Sequence, residues 1–282
     1  MNAFVTLDVA GLPPLDRPRL ATNLRGDPTT RATMTEHAGR SGVRIAADFR
    51  QNLIIDRWDP IFTSMRASTR RHLHGVVAED AVTWNVFRSL RQIAPTVWLP
   101  DLFGTAFRGH TLAHTEHATV ELWKTVEPPL ALLLDADEGE AEVDVVIQTP
   151  SVAWFIESKP GTDAGTRTNT RAAREQVLRS IDVGSYWAGT RKFYFSLLVA
   201  DARRSNEAVT AVQAFADLAK PRDLLAAHRP DKLANLGGVS LLSWAQLGEV
   251  LSDAAEDAPN DDERVYAERA LRWLRSRGPA LE

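Results

Sequence analysis

Apolar positions recur first at helical spacing. From Ala78, "AEDAVTWNVFRSLRQIA" places Val82, Val86, Phe87 and Leu90 on one helix face, and Pro95 follows its end. The period then falls to that of a strand: "ATVELWKTV" reads as one, and "EVDVVIQ" and "VAWFIESK" read as a hairpin joined by a turn. "TRAAREQVLRSIDVGSYWAG" reads as a helix closing near Gly184, and "KFYFSLLVAD" as a strand covered on both faces. Residues 205–228 look helical, "GGVSLLSW" gives a short strand, and "WAQLGEVLSDAAE" and "DDERVYAERALRWLRSR" are helices. This order predicts an α/β chain with a mixed central sheet flanked by helices. Residues 1–75 read as an N-terminal extension, 76–200 as the core, and 201–282 as a C-terminal α/β and helical part packed on it. Pro13, Pro14, Pro18, Gly26 and Pro28 make the start of the chain irregular.

The hairpin carries charge where a half-buried sheet disfavours it. Strand alternation separates Asp144 from Val143, Val145 and Ile147, and puts Glu157 and Lys159 on one face of their own strand. A type I turn over Thr149 to Val152, with Pro150 second, pairs Gln148 with Ala153, and continuing that register sets Asp144 opposite Glu157. Opposed side chains stand about 4.5 to 5.5 Å apart, close enough for two carboxylates to share one divalent ion. Without a cation the pair would repel and one pKa would rise. The competing reading is a solvated hairpin edge with Lys159 neutralising its neighbours. Trp154, Phe155 and Ile156 make the segment too apolar for that, and Pro160 holds Lys159 extended.

Asp144, followed across a strand turn by Glu157-Ser158-Lys159, resembles the signature of the PD-(D/E)XK nuclease superfamily, with Val143 where proline is usual. "EDAVTWNVFRSL" is similar to the helix that precedes this signature in some of its families, and Glu79 is the matching acid, with Asp80 the alternative. The resemblance covers about residues 78 to 200 and implies a restriction endonuclease-like core of helix, three strands, helix and strand. It implies that Asp144 and Glu157 bind Mg²⁺ (Mn²⁺ as a substitute), that the Ser158 carbonyl completes the shell, and that Lys159 orients or deprotonates the attacking water. Glu79 would hold a second ion or orient the first. Many relatives set a glutamine of the following helix beside the metal, which makes Gln176 a candidate. Where a Gln-x-x-x-Tyr branch carries tyrosine, this chain has Ser180.

Arg171, Arg174 and Arg179 share the helix of Gln176 and form the candidate substrate-binding face, against the alternative of a solvated basic surface. Arg66, Arg70, Arg71, His72 and His74 form a second basic cluster suited to phosphates or to a solvated turn. His110, His114 and His117 would stack on one face of a helix and mimic a zinc site, a rival reading that lacks a supporting motif. Trp84, Trp154, Trp187, Trp244 and Trp273 lie in apolar periodic segments and read as core. No phosphate-cradling glycine-rich loop appears.

Composition narrows the picture only in part. With 33 Lys+Arg against 37 Asp+Glu the net charge is −4, so a polyanion must be met by a local patch. Cysteine is absent, which removes disulfides and thiolate sites and suits a reducing cytoplasm. No apolar window approaches a membrane span. The resulting expectation is a cytoplasmic Mg²⁺-dependent DNA endonuclease of a restriction or phage-defence system, with RNA the alternative substrate. Cutting two strands with one site per chain favours a homodimer, and other subunits of such a system are the expected partners. The competing class is a non-catalytic nucleic-acid-binding or assembly subunit that retains the fold.

Overall fold

The computed structural model describes residues 36–38, 44–65, 67–75, 79–129, 139–159, 170–200, 207–227, 229 and 231–277. Strands β1 (Glu36–Ala38) and β2 (Arg44–Ala46) form a small antiparallel ribbon. Helices α1 (Ile61–Ser64), α2 (Ala67–His72), α3 (Glu79–Leu90) and α4 (Pro95–Ala106) follow, then the antiparallel strands β3 (Thr119–Val126), β4 (Ala141–Gln148) and β5 (Val152–Lys159). Helix α5 (Thr170–Ala188) leads to β6 (Lys192–Val199), and α6 (Glu207–Phe215) and α7 (Ala219–Leu225) lead to β7 (Leu236–Ser243). Helices α8 (Trp244–Glu256) and α9 (Asp261–Arg277) end the described chain. The main sheet has five strands in the order β3-β4-β5-β6-β7, with β5, β6 and β7 parallel. The chain is thus α/β with a mixed sheet flanked by helices.

Each sheet face carries its own core. On one, Val145, Ile147, Trp154 and Ile156 pack with α3, α4, α8 and α9; on the other, Val146, Ala153, Phe155 and Phe195 pack with α5 and α6. Every residue of β6 from Phe193 to Val199 is buried, which accounts for an apolar run that only Ser196 interrupts. Residues within 46–65 and 67–75 add to the first core. Phe49, Leu53, Phe62 and Leu73 are buried in it, and the fully buried Asn85 of α3 accepts from the Ile54 N–H and donates to the Asn52 carbonyl, both at 2.9 Å. Trp84 donates to the Ile55 carbonyl, and Arg88 pairs with Asp56 and Asp59.

Three local expectations change. Pro95 is not merely a stop: it opens α4, a helix that the sequence pattern hid because Pro100 lies inside it. Residues 67–72 are helical rather than a turn. Helix α5 does not close at Gly184 but runs to Ala188, with Gly189 left-handed at φ 61°. Gly184 is needed for close packing: a Cβ there would collide with the Phe193 ring and come within 2.9 Å of Phe155 Cδ2. Among the described residues no helix is long and apolar enough to cross a membrane.

Candidate metal and nucleic-acid site

The β4–β5 hairpin turns through Pro150 and Ser151. Thr149 closes it twice: its N–H donates to the Val152 carbonyl at 2.9 Å, and its hydroxyl accepts the Val152 N–H at 3.1 Å. The ladder begins at Gln148↔Ala153 and runs to Val145↔Ile156, in the expected register. Asp144 and Glu157 would be the next pair of that register, but the ladder ends before them. There the Ser158 N–H donates to Asp144 Oδ2 at 2.9 Å, so the carboxylate takes a donor at the open end of the ladder.

Pairing is irregular on the other side of Asp144 as well. The β3–β4 ladder holds Leu122↔Val145 and Lys124↔Val143 but omits Trp123, whose φ of 50° is left-handed. A bulky residue rarely adopts this conformation, and such strain gathers at functional sites. The Trp123 ring stacks on Trp84 at 5.3 Å, and its Nε1–H is buried without a hydrogen-bond partner. Asp144 is therefore held on a strand that loses regular pairing on both flanks.

Glu157 is 8% exposed, and the Ser180 hydroxyl of α5 lies 3.5 Å from its Oε1. Position 180 thus faces the carboxylate, and this chain has serine there. Gln176 is exposed one turn earlier on the same helix face. Ser158 is buried, and its Oγ has no hydrogen-bond partner. Lys159 ends β5, paired with Val199, and Glu79 begins α3; the side chains of both lie outside the described residues. Asp80, the alternative acid, has Oδ2 3.4 Å from His72 Nδ1.

Arg171 and Arg174 are in α5, with side chains outside the described residues, and Arg66 is not described. Arg179 donates to the Gly139 carbonyl at 2.7 Å, which ties α5 to the approach to β4. Arg70 donates to the Phe62 carbonyl and Arg71 to the Ala67 carbonyl, so both have local partners. The three histidines do not share a helix. Gly109 (φ 82°) and His114 (φ 60°) are left-handed, and only Thr115–His117 forms a short 3₁₀ turn. His110 Nδ1 lies 3.2 Å from the Tyr194 hydroxyl, whereas His114 and His117 flank Glu116 at 3.7 and 3.6 Å. Among the described residues no three His, Cys, Asp or Glu side chains stand close enough to share an ion. Of the tryptophans read as core, Trp84, Trp154, Trp244 and Trp273 are buried; Trp187 is half-buried, with Arg191 over its ring.

At the far end of the parallel strands α5 is pinned by charge. Arg229 is 3% exposed and bonds Asp182, Ser185 and Asp231, while Asn235 joins Ser185 to the Gly189 carbonyl. This network fixes the helix that brings Ser180 to Glu157.

Neither a protein-family model nor a curated protein nor a solved structure matches the chain.

Proposed function

We propose that the chain is a divalent-metal-dependent nuclease with a restriction endonuclease-like core, a DNA endonuclease of a restriction or phage-defence system. One observation carries this reading. Asp144 and Glu157 are the next residues in register just past the end of the β4–β5 ladder, with Asp144 Oδ2 already 2.9 Å from the Ser158 N–H. Two carboxylates and the Ser158 carbonyl are hard oxygen donors, a set that fits Mg²⁺ or Mn²⁺. Bound there, the ion would neutralise charge on the phosphodiester and generate a nucleophile at neutral pH.

The chain's own residues have distinct tasks. Asp144 is oriented by the Ser158 N–H, and Glu157 is approached by the Ser180 hydroxyl from α5. Lys159, two residues along β5 from Glu157, orients the attacking water and takes part in its deprotonation. Glu79, at the start of α3, supplies a further acid, and Gln176 stands one turn before Ser180 to position the scissile strand.

The test is incubation of the pure protein with plasmid, linear duplex, single-stranded DNA and RNA in Mg²⁺, Mn²⁺ or EDTA. Cleavage should need the metal and vanish in Glu157→Gln and Lys159→Ala, with circular dichroism unchanged. Undiminished cutting by both variants, or none of these substrates cut by the wild type, would overturn the reading.

A further inference from the structure

A strand shows its residues alternately to its two faces, and β3 and β4 both break that rule at the same level. On β3, Val120 and Leu122 lie in the first core, and so does Trp123, the neighbour that should face away from it; Val126 lies in the second core. On β4, Val145 and Ile147 belong to the first core, whereas Val143 joins Val146 in the second. The 2.7 Å bond from Lys124 Nζ to Glu121 Oε2 shows the same switch independently, because residues three apart on a regular strand point to opposite faces. Lys124 Nζ also lies 5.5 Å from the centroid of the Trp187 ring, which packs on the second core.

The register runs unchanged through the switch. Residues 119–122 pair with 148–145 and residues 124–126 with 143–141, so no residue is inserted and the feature is not a bulge. Trp123 therefore stands opposite Asp144, and the two strands turn over together at this one unpaired level. On a regular strand the indole would share a face with Asp144 and Glu157. The φ of 50° sends it to the other face, where it stacks on Trp84 with ring planes 10° apart. The consequence reaches the site through Ser158. Its N–H is directed at β4, where the hairpin register would offer the Val143 carbonyl, yet the acceptor is Asp144 Oδ2 at 2.9 Å. A carboxylate stands in for a ladder carbonyl because β4 is rolled there, with the Asp144 side chain between the strands rather than upright on a face.

We propose that Trp123 is the positioning residue of this site: its left-handed backbone rolls β3 and β4 at one level and so sets the Asp144 carboxylate between the strands, beside Glu157. The inference rests on the metal reading for the ion that the two carboxylates would share, and adds the residue that arranges them.

Backbone preference separates this role from packing. Valine is β-branched and resists a positive φ, whereas glycine adopts it freely. Valine also fills more of the space left by the indole, so a packing role alone ranks Trp123→Val at or above Trp123→Gly, and positioning reverses that order. Mn²⁺ titrated calorimetrically into the metal-free protein should bind Trp123→Val about 10- to 100-fold more weakly than wild type, the loss typical of removing a group that orients a metal ligand, with Trp123→Gly the tighter binder of the two. If either variant fails to fold, Trp123→Thr and Trp123→Asn repeat the contrast at similar side-chain size, since asparagine accepts the left-handed region far better than threonine. A second readout needs no metal. Adding Asp144→Ala to wild type or to Trp123→Gly should move the Ser158 amide proton resonance upfield, as its carboxylate acceptor is lost, and adding it to Trp123→Val should move it much less. Trp123→Val binding Mn²⁺ as tightly as Trp123→Gly, or an equal Ser158 shift in all three backgrounds, overturns the inference. No Mn²⁺ bound by wild type, with the Ser158 pattern as expected, sinks the metal reading alone; Mn²⁺ bound equally by wild type and both variants sinks this one alone.

Discussion

Replacing Arg229 by lysine keeps a cation beside Asp182 while removing hydrogen bonds, and so isolates what the guanidinium contributes. All five of its N–H groups are engaged: Nε with Asp231 Oδ1 at 3.0 Å, Nη1 with the Asp182 carbonyl at 2.8 Å and Oδ1 at 2.6 Å, and Nη2 with Asp231 Oδ2 at 2.8 Å and Ser185 Oγ at 3.3 Å. An ammonium has three donors, so at least two acceptors lose their partner in a site where Asp182 and Arg229 are 2% and 3% exposed. Hydrogen bonds to charged groups contribute about 1.5–3 kcal/mol each, which sets an expected loss of about 3 kcal/mol once partial rearrangement is allowed for. Arg229→Leu, which leaves Asp182 buried without its cation, should cost about 3–5 kcal/mol. Urea unfolding followed by circular dichroism measures both, with an unchanged slope confirming that only stability has moved. A lysine variant within about 0.5 kcal/mol of wild type would show that the buried network does not hold α5 in place, since that is the scatter expected of ordinary surface substitutions.

Two further perturbations act on the same helix and its anchor. Gly184→Ala sets a gain in helix propensity of up to about 1 kcal/mol against overpacking of about 1–3 kcal/mol on Phe193 and Phe155; thermal melting should show a net loss, and a more stable variant would mean that α5 does not press on the sheet there. Hydrogen bonding to Arg229, followed by its charge, holds the Asp231 carboxyl below its ordinary value of 3.8. A depressed folded pKa stabilises above the unfolded value and is lost as pH falls through it, so the stability difference between wild type and Asp231→Asn should be constant near neutrality and shrink below pH 3.8. A difference that grows on acidification would reverse the sign of the linkage.

The sheet was legible because its strands are apolar segments of strand length between turns, densest in β6 where burial is two-sided. The hairpin register followed from the turn alone: with Pro150 and Ser151 as the loop, Gln148 can only meet Ala153, and the observed ladder does so. What stayed hidden depends on contacts distant in sequence. Gly184 carries the residue type of a helix stop, and only the nearby Phe193 and Phe155 rings show that it is a packing residue. Helix α4 was masked by Pro100, which sequence alone reads as a breaker. "VELWKTV" alternates well enough to conceal the left-handed Trp123, and that irregularity, opposite Asp144, is the site feature least accessible to pattern reading. Ser180 carried one usable signal, its place one turn beyond Gln176.

The central claim is that Asp144 and Glu157 act as a pair on one divalent ion. Calorimetric titration of Mn²⁺ into the metal-free protein tests it without any assumption about substrate. Asn at 144 can still accept the Ser158 N–H, so Asp144→Asn and Glu157→Gln should each keep the fold while losing the ion. The predicted result is saturable Mn²⁺ binding by the wild type that either substitution removes. Equal Mn²⁺ affinity in wild type and the double variant would contradict the account.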